Sequence, residues 1–119
     1  MQWTDAGSPE IRIVRLNGEI DLQHSPKLRQ LLHAKASERA PVLLLDFTEV
    51  KYIDSSGLAT LVEYYKNTRP FQGRLIVAGL SSRVRSIFDL VRLGEIFGVY
   101  STIAEAEVAL QLKTEAGPA

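Results

Sequence analysis

Short apolar runs alternate along this chain with segments in which apolar residues recur every third or fourth position. Residues 42–47 and 75–78 are runs of the first kind, which are typical of strands buried on both faces. Leu58, Leu61 and Val62 illustrate the second kind, the apolar stripe of a helix. Strands that alternate with helices predict a mainly parallel sheet joined by right-handed crossovers.

The complete pattern predicts the order β-β-α-β-α-β-α-β-α. Two alternating segments, residues 10–16 and 19–22, flank Asn17-Gly18, and this turn signal predicts an opening antiparallel hairpin. Helices are predicted over residues 26–38 and 56–68, from Ser81-Ser82 to near Gly94, and beyond the capping box at Thr102. The predicted fold class is α/β, with a mixed, mostly parallel sheet of four or five strands, about four helices and an opening β-hairpin.

A chain of 119 residues fits one domain, predicted over residues 10–112 with flexible ends at 1–9 and 113–119. Fourteen Lys and Arg balance fourteen Asp and Glu, which argues against binding nucleic acid or membranes through bulk charge. The longest unbroken aliphatic stretch, residues 42–45, is too short to insert into a membrane. Because no signal peptide is visible at the N-terminus, we expect a cytoplasmic protein.

Enzyme chemistry finds little support in the sequence. The chain has no cysteine, and its two histidines, His24 and His33, are spaced so that one helix could not present both to one metal. It has no G-x-S-x-G elbow, Walker loop or G-x-G-x-x-G motif. We therefore expect no catalytic residues, no metal and no cofactor.

Residues 46–58 are the segment best suited to carry a function, because two serines follow a buried strand at the mouth of the second helix. A helix N-terminus favours an anion through its free N–H groups and its dipole, so a phosphoryl group on Ser55 or Ser56 would be accommodated there. Gly57 would permit close approach of a partner. At 100° per residue, Ser56, Thr60 and Glu63 share a face away from the apolar stripe.

The same residues also fit an ordinary helix cap and turn, since serine at a helix start is most often a cap. Residue chemistry by itself leaves both interpretations open. A nucleophilic serine is the weaker alternative, because a suitably placed base is missing from the sequence pattern.

Several motifs together resemble the STAS domain family, in particular the bacterial anti-sigma factor antagonists. The central motif is Leu43-Leu44-Leu45-Asp46 followed by Tyr52-Ile53-Asp54-Ser55-Ser56-Gly57-Leu58. The resemblance extends to Gly18-Glu19-Ile20-Asp21, to Leu75-Ile76-Val77-Ala78-Gly79 and to the segment that begins at Leu93-Gly94-Glu95-Ile96-Phe97. It covers nearly the whole chain.

The resemblance implies a partner switch. The unmodified protein would bind an anti-sigma factor that is also a serine kinase, the kinase would phosphorylate Ser56 and so cause release, and a cognate phosphatase would reset the switch. Asp21 matches an acidic residue near the kinase contact, and Ser55 would lie beside the site as a cap. The resemblance assigns Asp46 and Asp54 a role in ordering the loop. We expect a monomer or weak dimer whose partner-binding residues are Asp21, Ser55, Ser56, Gly57, Thr60 and Glu63.

Two alternatives belong to other functional classes. A STAS domain can also serve as an accessory subunit of a membrane transport complex, such as a lipid transporter, without serine phosphorylation. A small hydrolase is the second alternative, which the missing nucleophile elbow and metal cluster disfavour.

Overall fold

Five strands and four helices make up the described part of the chain. The computed structural model describes the backbone of residues 1–115 and the side chains of residues 1–110. The elements are β1 (Gln2–Gly7), β2 (Ile11–Ile20), α1 (Ser25–Glu38), β3 (Val42–Ile53), α2 (Ser55–Asn67), β4 (Arg74–Ala78), α3 (Ser82–Leu90), β5 (Gly98–Tyr100) and α4 (Ile103–Glu115), with short 3₁₀ turns at Arg69–Phe71 and Leu93–Glu95. The predicted α/β fold class and element order are confirmed.

The strands form one mixed sheet in the order β1-β2-β3-β4-β5. Strand β1 is antiparallel to β2, whereas β2, β3, β4 and β5 are parallel to their neighbours. The register pairs Val14 with Leu45 and Leu45 with Val77, so the centres of three strands lie side by side. Each parallel connection contains a helix, as the geometry of parallel crossovers requires.

Strand β3 is twice as long as the sequence indicated. Its pairing with β4 ends at Asp46 and Ala78, but its pairing with β2 continues to Ile20 and Ile53. The predicted end of this strand at Phe47 is therefore wrong. This extension tolerates polar residues because it pairs with β2 alone and is not covered by β4 on its other side. The extension brings the ends of β2 and β3 to one place.

The opening hairpin exists, but it is built from other residues than predicted. Residues 2–7, predicted as part of a flexible end, form β1, and the turn follows Gly7, whose φ is 90°. The predicted turn at Asn17-Gly18 is wrong, because β2 runs straight through it. Gly18 does adopt a positive φ of 110°, but it does so beside a register shift in the β2–β3 ladder. A β-bulge makes the same conformational demand as a turn.

Alternate residues of β3 enter two different cores, one on each face of the sheet. Leu43 and Leu45 pack with α1, α2 and α3, whereas Val42 and Leu44 pack with α4. The larger core contains Phe47 and Phe88 in edge-to-face contact, with ring centroids 5.9 Å apart. The strands thus bury both faces, as their nearly continuous apolar runs predicted.

The helices start and end close to where the periodicity placed them. Helix α1 was predicted over 26–38 and begins one residue earlier, and α2 was predicted over 56–68 and covers Ser55–Asn67. Helix α4 extends to Glu115, and the remainder of the predicted flexible tail lies outside the described residues. Within the part of the chain that the structure describes, no helix is both long enough and apolar enough to cross a bilayer.

Truncation of Leu61 should test the larger core. Leu61 on α2 has no exposed surface, so Leu61→Ala should lower the free energy of unfolding by about 2–5 kcal/mol. The matched control is Val108→Ala on α4, because Val108 is 54% exposed and should change stability by less than about 0.5 kcal/mol. Urea denaturation of both variants measures the difference, and equal losses would contradict this description of the core.

Candidate functional site

The carboxyl ends of β2 and β3 meet at one edge of the sheet, and two helices start beside them. The ladder closes with the Asp54 amide, which donates to the Ile20 carbonyl at 3.0 Å. Asp21 follows the end of β2, and Ser55 starts α2 one residue after Asp54. Sites of open α/β sheets collect at this edge. The parallel pairing of β2 with β3 therefore brings together residues that are more than thirty positions apart in the sequence.

Asp54 caps the first turn of α2. Its Oδ1 accepts hydrogen bonds from the backbone amides of Ser56 at 2.9 Å and Gly57 at 3.3 Å. The Ser56 hydroxyl donates to the same oxygen at 2.5 Å. The hydrogen bond from this hydroxyl is the largest cause that lowers the pKa of Asp54 below its ordinary value. The backbone hydrogen bonds lower it further, whereas partial desolvation raises it by less. The cap is thus an ionised carboxylate.

Ser55 had been expected to cap the helix, but its exposed side chain leaves that role to Asp54. The same finding changes the expected environment of a phosphoryl group. The amides of Ser56 and Gly57 are already hydrogen-bonded to Asp54, so they are not free to receive another anion. The unpaired N–H groups at a helix N-terminus favour an aspartate cap for the same reason that they favour a phosphate.

The Ser56 side chain is half-buried at the start of a groove between α1 and α2. The groove has a volume of about 560 Å³. Its walls include Ser25, Arg29 and His33 from α1 and Ser56, Thr60 and Glu63 from α2. The predicted outward direction of Ser56 is therefore correct only in part, since its hydroxyl is turned toward Asp54 at one end of the groove.

Thr60 and Gly57 lie elsewhere than predicted. Thr60 is 7% exposed, and its hydroxyl donates to the Ser56 carbonyl at 2.9 Å, so it offers a partner little surface. Gly57 is buried, and a Cβ at this position would lie 2.6 Å from Cγ2 of Ile20 and 2.7 Å from Cγ1 of Ile53. Glycine is thus needed for close packing of α2 on the sheet, rather than for the approach of a partner.

The helical wheel failed at Thr60 because α2 has two neighbours, the sheet and α1. A wheel that assumes one buried stripe misses the second buried face. The buried residues of α2 include Tyr64, which lies outside the predicted stripe, whereas Val62 of that stripe is half-buried. Burial of the phenol raises the pKa of Tyr64 to about 12, with a further contribution from the Glu38 carboxylate.

Glu63 joins α1 to α2. Its Oε1 accepts hydrogen bonds from Nε of Arg29 at 3.0 Å and contacts Nε2 of His33 at 2.7 Å. The contact with His33 is the main cause that lowers the pKa of Glu63, and the hydrogen bond from Arg29 lowers it further. Partial desolvation opposes both but is outweighed. From the sequence, His33 had been considered only as a possible metal ligand, and Arg29 had not been considered. Their spacing of four residues places them on one face of α1, but the packing of α1 on α2 decides which acidic residue they meet.

Asp21 lies in the short loop between β2 and α1. Its Oδ1 accepts from the His24 amide at 3.1 Å and contacts Nδ1 of His24 at 2.6 Å. Partial desolvation raises the pKa of Asp21, but the hydrogen bonds with His24 outweigh it, and the pKa lies below the ordinary value. Leu22, the next residue, is 74% exposed and was not singled out from the sequence.

Asp46 lies inside β3 rather than in a loop. Its Oδ1 accepts from the Thr48 amide at 2.9 Å, and its Oδ2 accepts from Nε of Arg15 on β2 at 3.0 Å. Asp46 therefore orders the β2–β3 ladder where β4 ends, while Asp54 orders the start of α2. Among the described residues, no group of His, Asp and Glu side chains is arranged to hold a metal ion.

Comparisons with known proteins agree with this architecture. Residues 2–106 match the family model of the STAS domain. An anti-sigma-B factor antagonist of Listeria monocytogenes is 35% identical over 88 residues, which cover 74% of this chain and 77% of the relative. An anti-sigma factor antagonist from Mycobacterium paratuberculosis has a solved structure that superposes with a TM-score of 0.82 at 25% identity, covering 92% of this chain and 93% of the other.

The phosphorylated form of the Bacillus cell fate determinant SpoIIAA shares the fold as well. Its structure superposes with a TM-score of 0.69 at 21% identity and covers 92% of this chain and 99% of its own. At this identity the similarity concerns the fold.

Addition of a methyl group at position 57 tests the close packing of α2. Gly57→Ala should lower the free energy of unfolding by about 1–3 kcal/mol, because the added Cβ would overlap Ile20 and Ile53. Gly94→Ala is the matched control, since a Cβ at Gly94 would meet no atom within 4 Å. Thermal unfolding of the two variants compares them, and an undisturbed Gly57→Ala protein would refute the packing argument.

Removal of the cap should have a pH-dependent effect. Asp54→Ala should cost about 0.5–2 kcal/mol of stability at pH 7. Because the folded-state pKa of Asp54 is lowered, its contribution is complete above the unfolded value, near pH 4, and is lost as pH falls through the folded value. The stability curves of wild type and variant should therefore converge in acid. Asp89→Ala, at a mostly exposed side chain, is the control, and a constant gap down to pH 2 would contradict a charged cap.

Proposed function

Since the chain belongs to the STAS domain family, we propose that it acts as an anti-sigma factor antagonist, a protein that relieves inhibition of a sigma factor by binding the inhibitor. The observation that carries this proposal is the 35% identity to an anti-sigma-B factor antagonist across 74% of the chain. The joined ends of β2 and β3, with the groove beside them, are the surface on which binding would occur.

The finer proposal is that Ser56 controls binding. The unphosphorylated protein would bind an anti-sigma factor that is also a serine kinase, phosphorylation of Ser56 would release it, and a cognate phosphatase would restore binding. Ser56 supports this role by its position at one end of the α1–α2 groove, where a partner on the groove would cover it. SpoIIAA, which shares the fold, has a solved structure in its phosphorylated form, and this is consistent with the proposal.

Electrostatics supplies the physical cause of release. Phosphorylation adds about −1.5 to −2 charges at neutral pH. At a packed interface this charge must lose its hydration or face other acidic groups, and Asp54 is already ionised beside it. A loss of about 2.7 kcal/mol in binding corresponds to a hundredfold weaker complex.

The surroundings of Ser56 favour a binding module over an enzyme. An activated nucleophilic serine donates its hydrogen bond to a basic histidine, whereas the Ser56 hydroxyl donates to a carboxylate that also caps a helix. His24 contacts Asp21, and His33 contacts Glu63. We therefore propose that Ser56 accepts a phosphoryl group from another protein and does not itself turn over a substrate.

Mass spectrometry and binding measurements test this function together. The purified chain is incubated with ATP and each serine kinase of the anti-sigma factor type from the same organism, and its intact mass is recorded. We expect one added phosphate on the wild type and on Ser55→Ala, and none on Ser56→Ala. Ser56→Asp should weaken binding to that kinase about a hundredfold, and it should lower the melting temperature modestly, because a like charge replaces the hydroxyl that donates to Asp54.

Two results would oppose the proposal. Phosphate on Ser56→Ala would move the site elsewhere, and absence of any modification or binding would remove the switch. Copurification with an ATPase of a membrane transporter, in place of a kinase, would favour the accessory-subunit alternative.

A further inference from the structure

The groove between α1 and α2 contains a cation close to the proposed modification site. Arg29 on α1 and Ser56 on α2 both line this groove, which has a volume of about 560 Å³. Nε of Arg29 donates to Oε1 of Glu63 at 3.0 Å, and 58% of the Arg29 side chain is exposed. An exposed ion pair of this kind contributes little to stability, so Arg29 can change its partner at little cost.

The two helices run in the same direction, because each follows one of two parallel strands. His33 and Glu63 each lie eight residues after the first residue of their helix, and they are in contact at 2.7 Å, so the helices lie side by side in register. At a rise of about 1.5 Å per residue, Arg29 lies about 6 Å before His33, and Ser56 lies about 10.5 Å before Glu63. Along the helix axes, Arg29 therefore lies between Glu63 and Ser56, about 4.5 Å from the level of Ser56.

A phosphate on Ser56 cannot keep the direction that the hydroxyl now takes. The hydroxyl donates to Asp54 at 2.5 Å, whereas the oxygen that links a phosphoserine to phosphorus has no hydrogen to donate. The ionised Asp54 carboxylate would repel the added charge of about −1.5 to −2. The amides of Ser56 and Gly57 already donate to this carboxylate. The adjoining groove offers the phosphate both space and the Arg29 guanidinium.

The charges in the groove favour an exchange of partners. A phosphate carries more charge than the Glu63 carboxylate and accepts two parallel hydrogen bonds from a guanidinium. Glu63 would keep its contact with His33 after Arg29 had left it. The exchange therefore leaves no carboxylate without a partner among these residues.

We propose that Arg29 binds the phosphate of a phosphorylated Ser56 and gives up Glu63 to do so. The inference rests on the proposed function for its biological meaning, and it adds a second cause of release. The bound phosphate occupies the groove that a partner would cover, so modification blocks this surface in addition to charging it. Arg29 acts here as a phosphate-binding residue without a catalytic role.

Phosphoserine installed at position 56 by genetic code expansion tests the site without any kinase. The second pKa of its phosphate, which is about 6 for an unperturbed phosphoserine, is measured by ³¹P NMR titration. A guanidinium bound to the dianion lowers this pKa, so Arg29→Gln should raise it by at least about 0.5 pH unit. Because the Arg29 side chain is mostly exposed, the variant should keep the wild-type melting temperature within a few degrees.

Two matched controls separate binding in the groove from a general effect of charge. Arg85→Gln removes the same charge from an ion pair outside the groove, where Nε of Arg85 contacts Asp89 at 3.2 Å. It should change the phosphate pKa by less than about 0.2 pH unit. Phosphoserine at position 55, on an exposed side chain outside the groove, should respond to Arg29→Gln less than half as strongly as phosphoserine at position 56.

The exchange of Glu63 for phosphate has a test of its own. If the two anions compete for Arg29, Glu63→Gln should lower the phosphate pKa by at least about 0.3 pH unit more in the wild-type background than in the Arg29→Gln background. Equal decreases in both backgrounds would show that only the lost charge of Glu63 acts, and they would overturn the exchange.

A phosphate pKa at position 56 that does not respond to Arg29→Gln would overturn the inference. Equal effects of Arg29→Gln and Arg85→Gln, or equal responses of phosphoserine at positions 55 and 56, would overturn it too. Failure of the proposed function has a different signature. In that case kinases would leave Ser56 unmodified, while the phosphate of the installed phosphoserine would still depend on Arg29.

Discussion

Parallel pairing between β2 and β3 is the constraint from which the site follows. The pairing continues for seven residues of β3 after β4 has ended, as far as Ile20 and Ile53. This extension holds the ends of the two strands together, and with them Asp21, Asp54 and the start of α2. A shorter β3 would leave the same residues on a loop, with no fixed distance between them. The backbone ladder, rather than any side chain, thus sets the geometry of the candidate site.

Asp54 converts that geometry into chemistry. One oxygen of its carboxylate accepts hydrogen bonds from the first free amides of α2 and from the Ser56 hydroxyl. The helix N-terminus therefore already has its anion, and this changes the electrostatic description of a phosphorylated serine at this place. A phosphate on Ser56 would therefore not meet a vacant positive end, but one that a carboxylate already occupies. The effect of modification would then extend beyond the phosphate itself to the first turn of α2, whose amides donate to this carboxylate.

Strong local signals predicted the parts of this molecule that depend on neighbouring residues. The apolar stripe of Leu58 and Leu61 and the polar residues before it located α2 to within one residue, and the run at residues 42–47 identified the central strand. The signal at Asn17-Gly18 was real but ambiguous, because turns and bulges both need a positive φ, and only pairing with β3 separates them. The edge strand β1 escaped prediction because its residues are exposed and carry no apolar alternation.

Thr60 and Gly57 show the same limit within the site. A helical wheel placed Thr60 on the outer face, but it does not show that α2 has the sheet on one side and α1 on another. From the sequence alone came the fold class, the order of the elements and the serine pair at a helix start, since these depend on periodicity and short-range chemistry. Tertiary structure alone decided that Glu63 meets Arg29 and His33 and that Gly57 faces Ile20, because each contact depends on which distant segments pack together.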